Sequence, residues 1–231
     1  MASETTRWLG AGRGIVLTGL TGGLVSSTAV TLSFARQSRE RGGASTATLA
    51  SGLLLAWCVM FGRVIAEVLV VNRALVVRVL IPFVVMGATA GIAAWVFFRR
   101  GASEAERAAR AETVRLRNPF SLTEASKFAA FFAAVLLVVK FVQSRFPGEG
   151  LYMVAGLAGL TDVDAITLSM ADYAKSGDAR VAVNAIVVAA LTNTAVKCGI
   201  VAMLGGAVLR RAVLIATGAI LLAGIATIVC L

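Results

Sequence analysis

Gly23-Leu-Val-Ser-Ser-Thr-Ala-Val-Thr-Leu-Ser-Phe-Ala35 returns later in the chain as Gly159-Leu-Thr-Asp-Val-Asp-Ala-Ile-Thr-Leu-Ser-Met-Ala171. Gly, Leu, Ala, Thr, Leu, Ser and Ala are identical in the two copies, and Val30/Ile166 and Phe34/Met170 are conservative changes. The register continues beyond this stretch. Arg63 falls opposite Lys197 after a two-residue slip, and Val79-Leu-Ile81 falls opposite Val213-Leu-Ile215. Self-similarity at a long period marks a duplicated structural unit. In both copies glycines precede a short polar run: Gly19, Gly22 and Gly23 before Ser26, Ser27 and Thr28, and Gly156 and Gly159 before Thr161, Asp162 and Asp164.

The setting of this repeat is apolar. Of 231 residues, 58% are hydrophobic and 15% charged, against roughly 25% charged in soluble domains, and the mean hydropathy is +0.88. A bilayer-crossing helix needs about 20 mostly apolar residues. Apolar windows at about 14–35, 46–71, 75–98, 122–145, 151–173, 181–205 and 211–231 then predict an all-α, polytopic membrane protein with about seven transmembrane helices. The expected organisation is a first three-helix unit (1–98), a cytoplasmic basic linker (99–121), a linking transmembrane helix (122–145) and a second three-helix unit (146–231).

Composition also excludes functions. There is no histidine, so His-based catalysis and His metal sites are out, no soluble catalytic domain is visible, and the chain is not read as an enzyme. Cys58, Cys198 and Cys230 lie in apolar segments without ligand spacing and read as packing residues. The net charge of +10 comes from basic residues clustered in loops, where they set membrane orientation, so no nucleic-acid partner is expected.

If each window is one crossing, Arg36, Arg39, Arg41, the arginines of 99–117, Lys175 and Arg180 fall on one face. Arg7, Arg13, Arg73, Arg78, Arg145, Arg210 and Arg211 make a smaller set on the other. The larger set marks the cytoplasm, which predicts an inner (plasma) membrane protein with its N-terminus out and C-terminus in. Within the linker, Ser103 with Glu106 forms a capping box for a short solvated helix, and Ser121–Glu124 forms another that opens crossing four.

An ionisable residue at mid-helix depth costs about 2.5–3.5 kcal/mol on insertion scales, so each needs a reason. Arg63, Glu67, Asp162, Asp164 and Lys197 lie deep, whereas Lys140 snorkels from a helix end. A helix unwound at the glycines would free backbone carbonyls and let both aspartates approach one ion, as discontinuous transporter helices do. The alternative is structural: one Asp caps a half-helix and the other neutralises Lys197 or Arg63. Asn193, one turn before Lys197, and Thr167 would add oxygen ligands. Arg63 and Glu67 are spaced to neutralise each other. Thr31, Ser33, Thr167 and Ser169 have carbonyl back-bonding as their default.

Four stretches carry a family resemblance: Thr18–Leu32, Arg117-Asn-Pro-Phe120, Gly159–Ser169 and Thr192-Asn-Thr-Ala-Val-Lys197. They resemble the uncharacterised C-terminal membrane domain found in larger MgtC/SapB-type proteins, from about residue 12 to the end. The N-terminal MgtC-like domain usual in that family is absent from this sequence. The resemblance implies membrane location and a link to magnesium homeostasis or to regulation of membrane enzymes.

The sequence therefore predicts an inorganic-ion transporter or channel, favouring a divalent cation such as Mg²⁺, with Asp162 and Asp164 as metal ligands and Lys197 as competing counter-charge. A non-transporting membrane regulator, or a proton- or anion-coupled carrier using Lys197 and Arg63, is the competing reading. No cofactor is expected beyond a transported cation. The expected partners are the bilayer, another membrane protein, and a second copy of the chain, packed through the small residues Gly87, Ala88, Ala90, Gly91, Ala93 and Ala94.

Overall fold

A computed structural model describes residues 11–40, 46–108 and 151–230. Crossing four, Lys140, the linker beyond Ala108 and the Ser121–Glu124 box lie outside the described residues. Every described element is helical: α1 (Ala11–Glu40), α2 (Thr46–Val71), α3 (Arg73–Ala108), α4 (Leu151–Gly159), α5 (Asp164–Tyr173), α6 (Ala179–Leu204) and α7 (Ala207–Cys230). Five of them, α1, α2, α3, α6 and α7, are long and apolar enough to cross a membrane. At 1.5 Å per residue, even the 24 residues of α7 reach about 36 Å, beyond the roughly 30 Å of a hydrocarbon core. The chain is a multi-pass membrane protein.

The first and fifth crossings, expected to break near their glycines, do so, and the path of the chain through each break corrects the count of full spans. In α1, Ser26 leaves the helical conformation, with φ −162° and ψ 106°. The two arms of α1 then meet the same residue of α2. A Cβ placed on Gly52 would lie 3.0 Å from the Ile15 carbonyl oxygen and 2.8 Å from a Phe34 ring carbon. In a straight helix those residues would stand about 28 Å apart. The helix therefore doubles back at Ser26, and the arms touch where Gly22 faces Val30. The fifth window is split into α4, of 9 residues, and α5, of 10 residues, each about 14–15 Å long. Neither reaches across a bilayer alone. Counting apolar windows measures composition and counts each window as one full span, which fails at both breaks.

The described chain clusters into two compact units. The first holds both arms of α1, the N-terminal part of α2 through Arg63, α3 from Val85, the end of α6 from Lys197, and α7 through Ala223. Its core is built around Leu49, Leu53, Trp57, Phe61, Leu209 and Val213, all essentially buried. Because lipid tails are as apolar as leucine, such helices associate by close packing rather than hydrophobic drive. Gly19 and Gly52 provide the closest approach: a Cβ on Gly19 would overlap the Gly52 carbonyl oxygen. Trp57 Nε1 donates to Thr31 Oγ1 at 2.9 Å, tying α2 to the second arm of α1.

The small-residue face of α3 is used inside this unit. Cys58 Sγ donates to the Gly87 carbonyl at 3.4 Å, Gly91 faces Cys58, and Ala90 and Ala94 are buried. Gly87 and Gly91 of the stripe expected to pair two copies therefore face α2 of the same chain, while Ala88 is exposed. Helix ends also gather here. The Gly206 N–H donates to Ser38 Oγ at 2.9 Å, and Gly101 lies against Thr48. Arg36, Arg39, Arg99, Arg100, Arg210 and Arg211 consequently belong to one end of this unit. The backbone of α3 runs unbroken to Ala108, so Ser103 opens no separate helix.

The second unit holds the end of α2 from Val64, α3 through Val84, α4, α5, α6 through Val196 and the last turns of α7. Leu75, Val79 and Phe83 of α3, with Ala182, Ile186 and Ala189 of α6, are buried in it. Asn72 Nδ2 donates to the Ala171 carbonyl at 3.2 Å, which brings the α2–α3 junction to the end of α5. Arg73 and Arg78 thus share an end of this unit with Lys175 and Arg180, and Arg78 and Arg180 line one cleft. The loop tally had set these pairs on opposite faces, again because it counted the fifth window as one full crossing.

Candidate functional site

Breaking a helix exposes carbonyls at the end of one arm and N–H groups at the start of the next. Both breaks occur inside apolar sequence, so these groups need partners, and the partners are mostly the residues singled out by the sequence.

In the first unit, the Ala29 N–H donates to Ser26 Oγ at 3.2 Å. Ser26 is therefore the N-cap of the second arm of α1. At the carbonyl end of the first arm, Arg63 Nη1 donates to Leu24 O at 3.3 Å. Buried Ser27 accepts from Lys197 Nζ at 2.6 Å, and Lys197 also contacts Met60 Sδ at 2.8 Å. Lys197 is only 1% exposed, which makes it the most deeply buried cation described. Thr28 is half-buried in the same turn. Thr31 donates to Ser27 O at 2.8 Å while accepting from Trp57, so its back-bonding default holds and a second bond is added.

In the second unit, α4 ends at Gly159, whose carbonyl accepts from Asn193 Nδ2 at 3.0 Å. No side chain fits at this crossing, because a Cβ on Gly159 would overlap the Ala189 carbonyl oxygen. Thr161 Oγ1 donates to Ala158 O at 2.9 Å. Asp162 Oδ1 accepts from the Asp164 N–H at 3.1 Å, so the carboxylate of Asp162 covers the start of α5. Asp162 is exposed and Asp164 half-buried. Ser169 back-bonds to Ala165 O at 2.9 Å. Thr167 does not follow its default: its side chain is fully buried, and Oγ1 has no hydrogen-bond partner among the described residues. Because residues 160–163 are not helical, regular-helix spacing does not relate Thr161 to Asp164.

The structure thus groups Thr161, Asp162, Asp164, Thr167 and Asn193 in one unit, and Ser26, Ser27, Thr28, Thr31, Arg63 and Lys197 in the other. Glu67, half-buried on α2, falls in the second. Arg63, spaced to pair with Glu67, also reaches the α1 break. Trp57 and Met60 were not expected to take part. Both read as ordinary core side chains, and only Met60's position one turn before Arg63 hinted otherwise. Among the described residues no three His, Cys, Asp or Glu side chains form a group able to hold a metal.

The family model for a domain of unknown function, DUF4010, matches residues 5–205. The chain belongs to the DUF4010 family. A relative from Aquifex aeolicus (strain VF5), named only as an uncharacterized protein, is 30% identical over 198 residues, covering 85% of this chain and 84% of its own length. No solved structure matches the chain. The family description covers both breaks, together with Arg63, Asn193 and Lys197, within the matched range.

Proposed function

We propose that this DUF4010 protein is an inorganic-ion transporter or channel of the broken-helix type, in which the ion is met at the turns of two helical hairpins. The observation that carries this reading is shared by both units: a helix stops inside apolar sequence, and its free carbonyl end is closed by a side chain of the following helix, Arg63 to Leu24 O and Asn193 to Gly159 O. Non-helical backbone at membrane depth is tolerated only where protein buries it or where it lines a water-filled cavity. Transporters place substrate and ion sites at such turns.

Duplication fits the same reading. In each repeat a hairpin (α1, or α4 with α5) precedes two long helices (α2 and α3, or α6 and α7). Two full spans return the chain to the face it started from, and the crossing expected from the sequence of 122–145 would carry it over. The second repeat starts from the opposite face, which gives an inverted repeat. The arginine-rich end of the first unit then becomes the cytoplasmic one, with the N-terminus inside and the C-terminus outside the plasma membrane, the reverse of the window tally. Impermeant thiol labelling of single cysteines placed at Arg39 and Lys175 tests this, with only the second expected to react from outside.

For the ion, Asp162 and Asp164 support a divalent cation such as Mg²⁺. Mg²⁺ keeps most of its waters and needs only one or two carboxylates, so a cage of three acidic groups is unnecessary. Asp162 has one oxygen beyond the one used on Asp164 N–H, and the Thr167 hydroxyl is a further oxygen. The resemblance to the membrane domain of MgtC/SapB-type proteins agrees with this choice. An anion is the second reading, favoured by Lys197 at Ser27, beside the N-terminus of the second arm of α1, where positive helix-end charge adds to the ammonium.

Proteoliposomes containing the full chain decide between these. Mg²⁺ uptake that falls at least tenfold in Asp162→Asn and Asp164→Asn, with folding intact, supports the cation reading. Anion flux lost in Lys197→Met supports the other. Absence of flux for any inorganic ion would sink the transport proposal and leave the membrane-regulator reading.

A further inference from the structure

Within the first unit, α3 and α7 diverge to leave a groove of about 910 Å³. We propose that it holds an anionic phospholipid, with the phosphodiester between Arg100 and Arg211 and an acyl chain lying along the helices. Both arginines are exposed at one end of the groove, and no Asp or Glu is among the described residues that line it. Planar guanidinium groups match phosphate oxygens in pairs, and basic pockets between transmembrane helices hold lipid headgroups.

Depth supports the same occupant. From Arg100 to Thr89, the far limit on α3, the groove runs about 16 Å, close to half of a hydrocarbon core of about 30 Å. It is one leaflet deep. Phe97, Ala93, Ala216 and Ala219 form its apolar walls, and the alanines are what keep it open. The arginine end is also marked as headgroup level by aromatic residues: Arg99 lies 4.7 Å from the Trp95 ring centroid and Arg100 lies 5.9 Å from that of Phe97. Trp95 is 57% exposed, and tryptophan concentrates at the membrane–water boundary. A transmembrane helix from a second copy would need a groove along a full span and gives no reason for two guanidiniums at its mouth, with no described Asp or Glu lining it.

The test is lipid retention by the purified full chain in a neutral detergent, read by native mass spectrometry. Phosphatidylglycerol and phosphatidylcholine are offered in turn, and inorganic phosphate is added as competitor. The wild-type chain should retain phosphatidylglycerol over phosphatidylcholine, with millimolar phosphate unable to displace it. Arg100→Gln with Arg211→Gln should reduce that retention on the order of tenfold, with helical content and gel-filtration behaviour unchanged, since both side chains are exposed. Ala216→Phe keeps both charges and fills the groove, and should also abolish retention. Unchanged retention in the double Gln variant overturns the proposal, whatever happens to Ala216→Phe. Displacement by inorganic phosphate shows a free-anion site instead, and crosslinking of a cysteine at Ala93 to a second copy shows that a protein helix fills the groove; either result overturns it as well.

Discussion

At the α1 break the turn itself is neutral (Ser26, Ser27 and Thr28), and charge arrives from other helices as Arg63 and Lys197. Between α4 and α5 the turn carries Asp162 and Asp164, and the helix that reaches it offers the neutral Asn193. Both arrangements answer one backbone problem. A carbonyl end wants a donor and an N–H end wants an acceptor. Arg63 and Asn193 are alternative donors for the first, and Ser26 and Asp162 are alternative acceptors for the second. The requirement fixes hydrogen-bonding roles and leaves charge free to vary. The result is one basic turn and one acidic turn on similar frames, and this asymmetry is the feature most open to functional use.

The largest expected effect tests whether the frames really are equivalent. Gly19→Leu and Gly159→Leu each force a side chain into the backbone of a facing helix, Gly52 in one case and Ala189 in the other. Overpacking typically costs 1–3 kcal/mol and occasionally more, and here no flexible side chain can yield. Both variants should lose most folded protein, judged by monodisperse recovery in detergent. Tolerance at one site only would show that the hairpins are not built alike.

The donors come next. Asn193→Leu leaves the buried Gly159 carbonyl without its partner, at about 1–3 kcal/mol. Arg63→Met removes a donor from the exposed Leu24 carbonyl, and thermal denaturation should show a smaller loss. A larger loss for Arg63→Met would mean that its charge, and not only its N–H groups, holds the basic turn. The acceptors should matter less: Ser26→Ala should lower stability by about 1 kcal/mol, and Asp162→Ala, which removes an exposed acceptor of the Asp164 N–H one residue before the N-cap Val163, by no more than that. Asp162→Asn should not, since the Asn side-chain oxygen accepts in the same turn. That makes Asp162→Asn a clean probe of charge in flux assays, and a stability loss equal to that of Asp162→Ala would show that the charge of Asp162 has a structural partner.

The sequence made legible what depends on composition and type: the helical membrane class, and the glycines after which two apolar segments break. It misled wherever the path of the chain mattered. Nothing in the apolar run around Ser26 separates a straight span from a hairpin, because both arms must be apolar in either case. The hairpin is visible only when Ile15 and Phe34 are found together at Gly52. The count of full spans also set Arg73 and Arg78 apart from Lys175 and Arg180, which share an end of one unit. Arg63, spaced to pair with Glu67, also reaches Leu24 O beside the helix break, a contact that spacing along one helix does not reveal. The small-residue stripe of α3 was correctly read as a close-packing face. What it packs against, α2 of its own chain, is a tertiary fact.

Thr31 and Thr167 occupy matching places in the two repeats and give the finest test. Thr31 Oγ1 donates to Ser27 O and accepts from Trp57 Nε1, so Thr31→Val breaks two bonds and leaves a buried indole N–H unpaired, at about 1–3 kcal/mol. Thr167 is as deeply buried, but its hydroxyl has no hydrogen-bond partner among the described residues. Thr167→Val keeps the branched shape, removes a polar group from an apolar site and should leave stability unchanged or slightly raised. On the proposed ion-transport function, this hydroxyl is used when an ion or its water occupies the acidic turn. Ion flux through Thr167→Val should therefore fall severalfold while the melting temperature holds, the opposite of the pattern for Thr31→Val. If Thr167→Val instead melts early, the hydroxyl has a structural partner and no longer supports an ion site. If both stability and flux are unchanged, the ion site at the acidic turn rests on the two carboxylates alone.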